Sequence, residues 1–378
     1  MIRELRERLA HDDRVVFVLD DDPTGSQAVS NVQVILKPEK QLFRQVWRDG
    51  RRCAFVLTNT RSMNERDAVR LITGIRRDIE SAAEEDGVRV AFVLRGDSTL
   101  RGHVFAEMNV FRGPRSVGLF VPAFPACGRV TLDGVHYLIQ DDGRMPMHET
   151  EFAQDPVFGY KSGTLQDWVA EVGKGWIPRL VPLGRLRQLG ARAVAEALKL
   201  AEPGEIVIPD AETDEDIEAI VLGMMIAENE GVDVVARSAA TFAAFRCGSE
   251  SVRVTPDSAP GGGILAVCGS HTAASTRQLE RLVCHFDVEP VVVPTASLFE
   301  EGVTAVVRRS AGLLIRQLSE KGFGLLVSER TRQARFADLE SGARVMEAIT
   351  RTKTRLLRGS PGEAGDRLRA DAGSRRRL

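Results

Sequence analysis

Along its first third the chain alternates short, largely apolar runs with longer stretches in which apolar residues return every three or four positions. The short runs, rich in Val, Ile, Leu and Phe, are Val15–Leu19, Val32–Leu36, Cys53–Leu57, Val90–Leu94 and Val117–Val121. Runs of this length suit strands buried on both faces of a sheet that helices cover. From Met63 to about Glu85 the apolar positions keep helical spacing, and Ser62 followed by Glu65 reads as a capping box at the start. Strand then helix, repeated, predicts an α/β fold.

Between about Asp141 and Gly204 no clear strand stands out, and this stretch reads as insertions completing the first domain. The alternation resumes with a strand near Ile206–Pro209, a helix over Asp214–Glu230 and a strand near Val232–Ala236. The segment Thr255–Gly263 is dominated by Pro and Gly and carries no periodicity, so it is the predicted linker. After it come a strand at Ile264–Cys268, a helix through Val283, and strands near Val291 and Leu325. The expected organisation is two domains, 1–254 and 264–350, each a largely parallel sheet flanked by helices, joined by 255–263.

Residues 351–378 break the pattern, with nine Lys or Arg against three acidic residues and almost no apolar periodicity. They read as a solvated or disordered tail, or as sequence translated out of frame in place of a lost domain end, with a nucleic-acid-binding arm as the alternative.

The length of 378 residues exceeds one ordinary core, which holds about 100 to 200 residues. Apolar residues at 43% and charged residues at 28% are those of a globular protein, and no apolar run could span a bilayer. The formal net charge of −2 supplies no field for nucleic acid or an anionic membrane, which favours a small-molecule partner. Five scattered cysteines, never paired as CxxC, suggest neither a disulfide framework nor a zinc site, so reduced, mostly buried thiols are expected. The charged start lacks the apolar stretch of a secretory signal, which makes the cytoplasm the default location.

Polar groups follow three apolar runs in succession. Asp20, Asp21 and Asp22 close the first, and three carboxylates at a strand end repel one another unless a cation or a polyhydroxy ligand shares them. Thr58-Asn59-Thr60-Arg61-Ser62 follows the Cys53 run and offers N–H groups and a guanidinium, a pair suited to a carboxylate. Arg95-Gly96-Asp97-Ser98-Thr99-Leu100-Arg101-Gly102-His103 follows the Val90 run. Arg95 and Arg101 can bind anionic oxygen, while Asp97 can accept a proton from a substrate hydroxyl. The Pro122–Arg129 and Glu149–Pro156 segments are candidates to line or close the crevice, and His103 and His136 are given no role. Farther on, Gly269 and Ser270 join a strand to a helix start, a geometry able to bind phosphate although it lacks GxxxxGK[ST] and GxGxxG.

Two chemistries fit. Asp20-Asp21-Asp22-Pro23-Thr24 matches DxDxT, the nucleophile signature of haloacid-dehalogenase-like phosphatases, with Asp20 and Asp22 as the acidic pair, but no Lys lies between Thr58 and Asp97 to hold the phosphate. The other chemistry is phosphoryl transfer to an alcohol. From Arg14 to Ile349 the sequence resembles the four-carbon acid sugar kinase family, through Asp21-Asp22-Pro23-Thr24-Gly25, Asn59-Thr60-Arg61, Asp97-Ser98-Thr99-Leu100-Arg101-Gly102, and Gly269-Ser270 with Gln278.

The resemblance implies an N-terminal acid-sugar-binding domain and a C-terminal nucleotide-binding domain, with ATP and Mg²⁺ as cofactors. It implies transfer to the terminal hydroxyl of threonate, erythronate or 3-oxo-tetronate, and allows a homo-oligomer. Asp21, Asp22, Arg61, Arg95, Gly96, Asp97 and Ser98 would bind the sugar acid, Asp97 would be the general base, and Gly269 and Ser270 would contact ATP. Arg95 stands where the family often has Lys, which keeps the charge and alters the reach. A GGxTS-like nucleotide loop should follow Ser341–Ile349, and nothing from Arg351 onward resembles it. Its loss would leave either an inactive kinase or a sugar-acid-binding remnant.

Overall fold

The computed structural model describes residues 3–22, 29–30, 32–140, 143–249, 263–330 and 338–358. The chain divides into two compact units, 1–253 and 254–378.

The first unit is built on β1 (Val15–Asp20), β2 (Gln33–Ile35), β3 (Cys53–Leu57), β4 (Val90–Arg95) and β5 (Val117–Val121). A meander follows, β6 (Arg129–Leu132), β7 (Val135–Gln140) and β8 (Gly143–Pro146), and then β9 (Ile177–Val181), β10 (Glu205–Pro209) and β11 (Val234–Ser238). Eight of these form one parallel sheet in the order β2-β3-β1-β4-β11-β5-β10-β9, while β6, β7 and β8 pair antiparallel in a small sheet of their own. All residues of β1 and β5 are buried, as apolar runs covered on both faces require. Apolar side chains from alternate positions feed two cores, Val16 and Val18 on one face of the sheet and Phe17 and Leu19 on the other.

Four expectations need correction. The helix Glu65–Asp86 is capped by Asn64, whose side chain accepts from the Asp67 N–H, so the box drawn from Ser62 is displaced by two residues. The stretch from 141 to 204 holds β8 and β9 as well as helices Leu165–Val172, Leu183–Leu189 and Ala191–Leu200. Strand β9 was missed because Pro178 and Arg179 interrupt its apolar run at the edge of the sheet. Cys53 and Cys247, 194 residues apart in sequence, form a disulfide, and Cys127 and Cys284 are exposed. No sequence spacing reports that pairing, because only the tertiary fold brings Cys53, the first residue of β3, to Cys247, which follows the helix Ala240–Arg246.

The second unit holds a three-stranded parallel sheet in the order β12 (Ile264–Cys268), β14 (Phe323–Ser328), β13 (Val291–Val293). Helices Ala273–Phe286, Val303–Lys321 and Leu339–Arg358 accompany it. The last of these is the fourth correction. It continues through Arg358, eight residues into the segment read as a tail, because Thr352 and Leu356 are buried where helical spacing brings them inward. Residues 359–378 and most of the predicted linker, 255–262, lie outside the described residues. Among the described residues no helix is long and apolar enough to cross a membrane.

Candidate functional site

The carboxyl ends of β3, β1, β4 and β11 lie side by side because β1 pairs in parallel with β3 and β4, and β4 with β11. The register sets Asp20 opposite both Leu57 and Arg95, and Ser238 opposite Arg95. Each chain leaves its strand here, so the polar groups that close the apolar runs meet at one edge of the sheet, where parallel α/β sheets place their ligands.

Asp20 and Arg95 form a buried pair, Arg95 Nη1 donating to Asp20 Oδ1 at 2.8 Å. Burial pushes the Asp20 carboxyl up to about 6, against the pull of Arg95. Asp21 is 1% exposed and accepts from two guanidiniums, Arg61 Nη2 and Arg237 Nη2, each at 2.9 Å. Arg237 also donates through Nη1 to Glu107, whose other oxygen accepts from the Thr60 hydroxyl. Arg237 lies against Gly96, where a Cβ would stand 2.6 Å from its Cζ. Gly96 is therefore dictated by close approach of a guanidinium.

Asp97 Oδ2 accepts from Arg101 Nε at 2.8 Å and lies 3.4 Å from Arg61 Nη1, while Thr99 donates to Asp97 through its N–H and its hydroxyl. Burial would raise the Asp97 carboxyl, but Arg61, Arg101 and the Thr99 hydrogen bonds outweigh it and hold the group at about 2. Asp22 sits 3.2 Å from Arg61 Nη2. Arg61 Nε is buried with no hydrogen-bond partner among the described residues.

Of the predicted residues, Asp22, Arg61 and Asp97 keep partly exposed side chains at this edge of the sheet, as does Arg101. Asp21 and Arg95 are turned inward onto protein partners. The Ser98 carbonyl accepts from His136 Nε2 at 2.7 Å, and burial pushes that imidazole down to about 4, so it is neutral at pH 7 and orients the loop. His103 Nε2 lies 2.8 Å from the Met63 carbonyl. The Glu149–Pro156 segment reaches the site through Asp155, 3.6 Å from Arg101, and through Phe152, whose ring lies under the Arg101 guanidinium. Pro23, Thr24 and Gly25, which complete the first motif after Asp22, lie outside the described residues.

Sequence reading missed Arg237 and Glu107. Arg237 had a signal, since it closes the apolar run of β11 as Asp20 and Arg95 close theirs. Glu107 sits within a largely apolar helical segment, Val104–Phe111, and only its buried partners reveal it. Among the described residues, six carboxylates surround four guanidiniums. Such a site does not attract anions in general. It can grip one anionic group locally at Arg61 and Arg101 while its carboxylates accept from hydroxyls.

In the second unit, Ser270 follows β12 at the start of the helix Ala273–Phe286, which Thr272 caps by accepting from the Ser275 N–H at 3.2 Å. The Ser270 hydroxyl accepts from Ser275 Oγ at 2.8 Å, and its carbonyl accepts from Arg330 Nη1. Arg330 follows β14, donates through Nη2 to Thr276 at 2.7 Å, and keeps a buried Nε without a hydrogen-bond partner among the described residues.

The family model of the sugar-binding N-terminal domain matches residues 16–246, which contain every strand of the large sheet but the first residue of β1. The chain belongs to that family. Relatives similar to it include D-erythronate kinase of Heliobacterium modesticaldum, 27% identical over 93% of this chain and 81% of the relative. D-threonate kinase of Bordetella bronchiseptica is 27% identical over 60% of this chain, and the match spans half the length of that relative. Among solved structures, a Haemophilus influenzae protein of the DUF1537 family matches with a TM-score of 0.52 and 15% identity, over 94% of this chain and 88% of that one. At that identity the likeness is one of fold.

Proposed function

We propose that the chain is an ATP-dependent kinase acting on the terminal hydroxyl of a four-carbon acid sugar of the erythronate, threonate or 3-oxo-tetronate type. The observation that carries the reading is the meeting of Arg61, Asp97, Arg101 and Asp22 at one sheet edge, two cations for a carboxylate beside two carboxylates for hydroxyls. Relatives named D-erythronate kinase and D-threonate kinase support it. In this reading Arg61 and Arg101 bind the sugar carboxylate, Asp22 accepts from a hydroxyl, and Asp21, Arg95, Gly96 and Ser98 shape the loops that carry them.

Asp97 is the proposed general base. Held at about 2 by Arg61 and Arg101, it is ionised at pH 7 but only weakly basic. A substrate carboxylate that draws the two guanidiniums toward itself raises that basicity, so binding and activation of the base are coupled. ATP supplies the transferred phosphoryl group. The Ser270 turn, the helix start behind it and the unpartnered Arg330 Nε are the donor set that fits its phosphates, with Gly269 in the turn. Mg²⁺ is expected on those phosphates, and no protein ligand is assigned to it.

A second reading, acid-sugar binding without turnover, draws on the continuous helix Leu339–Arg358, which runs through the place where the family resemblance calls for a Gly-rich loop. A phosphatase using Asp20 is disfavoured, because that carboxylate is committed to Arg95 in a buried pair. The test is ADP release by the full chain with ATP, Mg²⁺ and each of D-erythronate, D-threonate and 3-oxo-tetronate, alongside calorimetry. Turnover with one of them supports the kinase. Acid-sugar binding with neither ATP binding nor turnover supports the second reading, and hydrolysis of a phosphate ester with no acid-sugar binding rejects both.

A further inference from the structure

From the buried side of the same cluster we infer that Arg237 is a positioning residue for Arg61, acting through Asp21. The inference rests on the acid-sugar reading above. Arg237 is 1% exposed, so it cannot meet a ligand itself. Its fork spans two buried carboxylates, Asp21 through Nη2 and Glu107 through Nη1. Asp21 is equally buried, and its second oxygen accepts from Arg61 Nη2 at 2.9 Å. The chain of contacts runs from Glu107 through Arg237 and Asp21 to Arg61, whose side chain is partly exposed.

The geometry gives each link a task. A carboxylate with one guanidinium on each oxygen cannot swing, so Asp21 presents a fixed acceptor to Arg61. Arg61 is ringed by Asp21, Asp22 and Asp97, so its use as an anion grip depends on where its guanidinium is held, and the shared Asp21 fixes that place. Without Arg237, Asp21 would lose the partner on its other oxygen and turn about Arg61. Two backbone features serve this arrangement. Gly96 leaves the space the guanidinium occupies, and Gly102, at φ +118°, would bring a Cβ to 3.0 Å from Asp21 Oδ2. Lysine at 237 would keep the charge without the fork, and so reach one carboxylate at a time.

Calorimetric titration of the full chain with D-erythronate and D-threonate tests this, with thermal melting of each variant as the control for folding. Arg237→Met is expected to weaken the bound acid sugar at least tenfold, and Arg237→Lys to recover part of that loss. Gly96→Ala should mimic Arg237→Met without changing any charge, because the new Cβ displaces the guanidinium. Recovery by lysine is the readout that a merely space-filling role would not produce. If Arg237→Met fails to fold, Arg237→Lys and Gly96→Ala carry the test. Wild-type affinity in both folded variants overturns the positioning role alone. Failure of the wild-type chain to bind either acid sugar overturns the reading of the site and takes the role of Arg237 with it.

Discussion

Replacing Asp97 by Asn probes the cluster through its energetics as well as its chemistry. The carboxyl falls from the ordinary 3.8 to about 2 in the folded chain. A shift of that size stabilises the fold by about 2 to 3 kcal/mol at pH 7. The folded value is the lower one, so the contribution is present above 3.8 and is lost as pH falls through 2. Asparagine keeps the shape and discards the charge, leaving Arg61 and Arg101 without their common partner. Asp97→Asn should therefore unfold in urea with about 2 to 3 kcal/mol less stability at pH 7, a gap that narrows to about half by pH 3. The same variant should lower kcat by about 10²- to 10⁴-fold if Asp97 is the base. Urea melts followed by circular dichroism at pH 7, 5, 4 and 3 give the first quantity without any assumption about substrate. Equal stability of the two proteins at pH 7, or a gap that does not change with pH, would refute the ion-paired cluster.

Three further outcomes are expected. Arg61→Ala should weaken acid-sugar binding by about 1.5 to 3 kcal/mol in calorimetry, as loss of a charged hydrogen bond does, and an unchanged Kd would remove Arg61 from the site. Asp20, raised to about 6, should favour the folded chain below 3.8 and lose that contribution as pH rises through 6, so carboxyl NMR should report a midpoint near 6 that disappears in Asp20→Asn. Non-reducing peptide mapping should recover Cys53 linked to Cys247. Reduction should then cost about 2 to 4 kcal/mol of stability, the usual range for a disulfide, whereas free thiols at both positions in oxidised protein would contradict the bond.

The parallel sheet was legible because its strands are apolar throughout, and β1, β3, β4 and β5 fall within a residue of the runs that predict them. The edge strand β9, half-exposed and interrupted by Pro178, carries no such signature. The meander β6–β8 was equally silent, since its strands mix His136, Tyr137, Arg144 and Pro146 with apolar residues. At the site, residues that lie close together in motifs, such as Asp97 with Arg101, could be read directly. Which of them keep exposed side chains could not, because that depends on partners far away in sequence. Arg237, 216 residues from Asp21, decides that Asp21 faces inward.

The place of β11 in the sheet bears on how the protein is made. It lies between β4 and β5, yet the chain supplies it after β9 and β10. A nascent chain that has left the ribosome only as far as β10 must hold β4 and β5 apart, each with a row of unpaired N–H and C=O groups toward the missing neighbour. Asp21 and Glu107 spend the same interval without the cation that later joins them. Closure of the sheet and neutralisation of its carboxylates are thus one late event, completed by the five residues Val234–Ser238. During synthesis at roughly 5 to 20 residues per second, that interval is when the unfinished domain is most open to strand-pairing with another copy of itself.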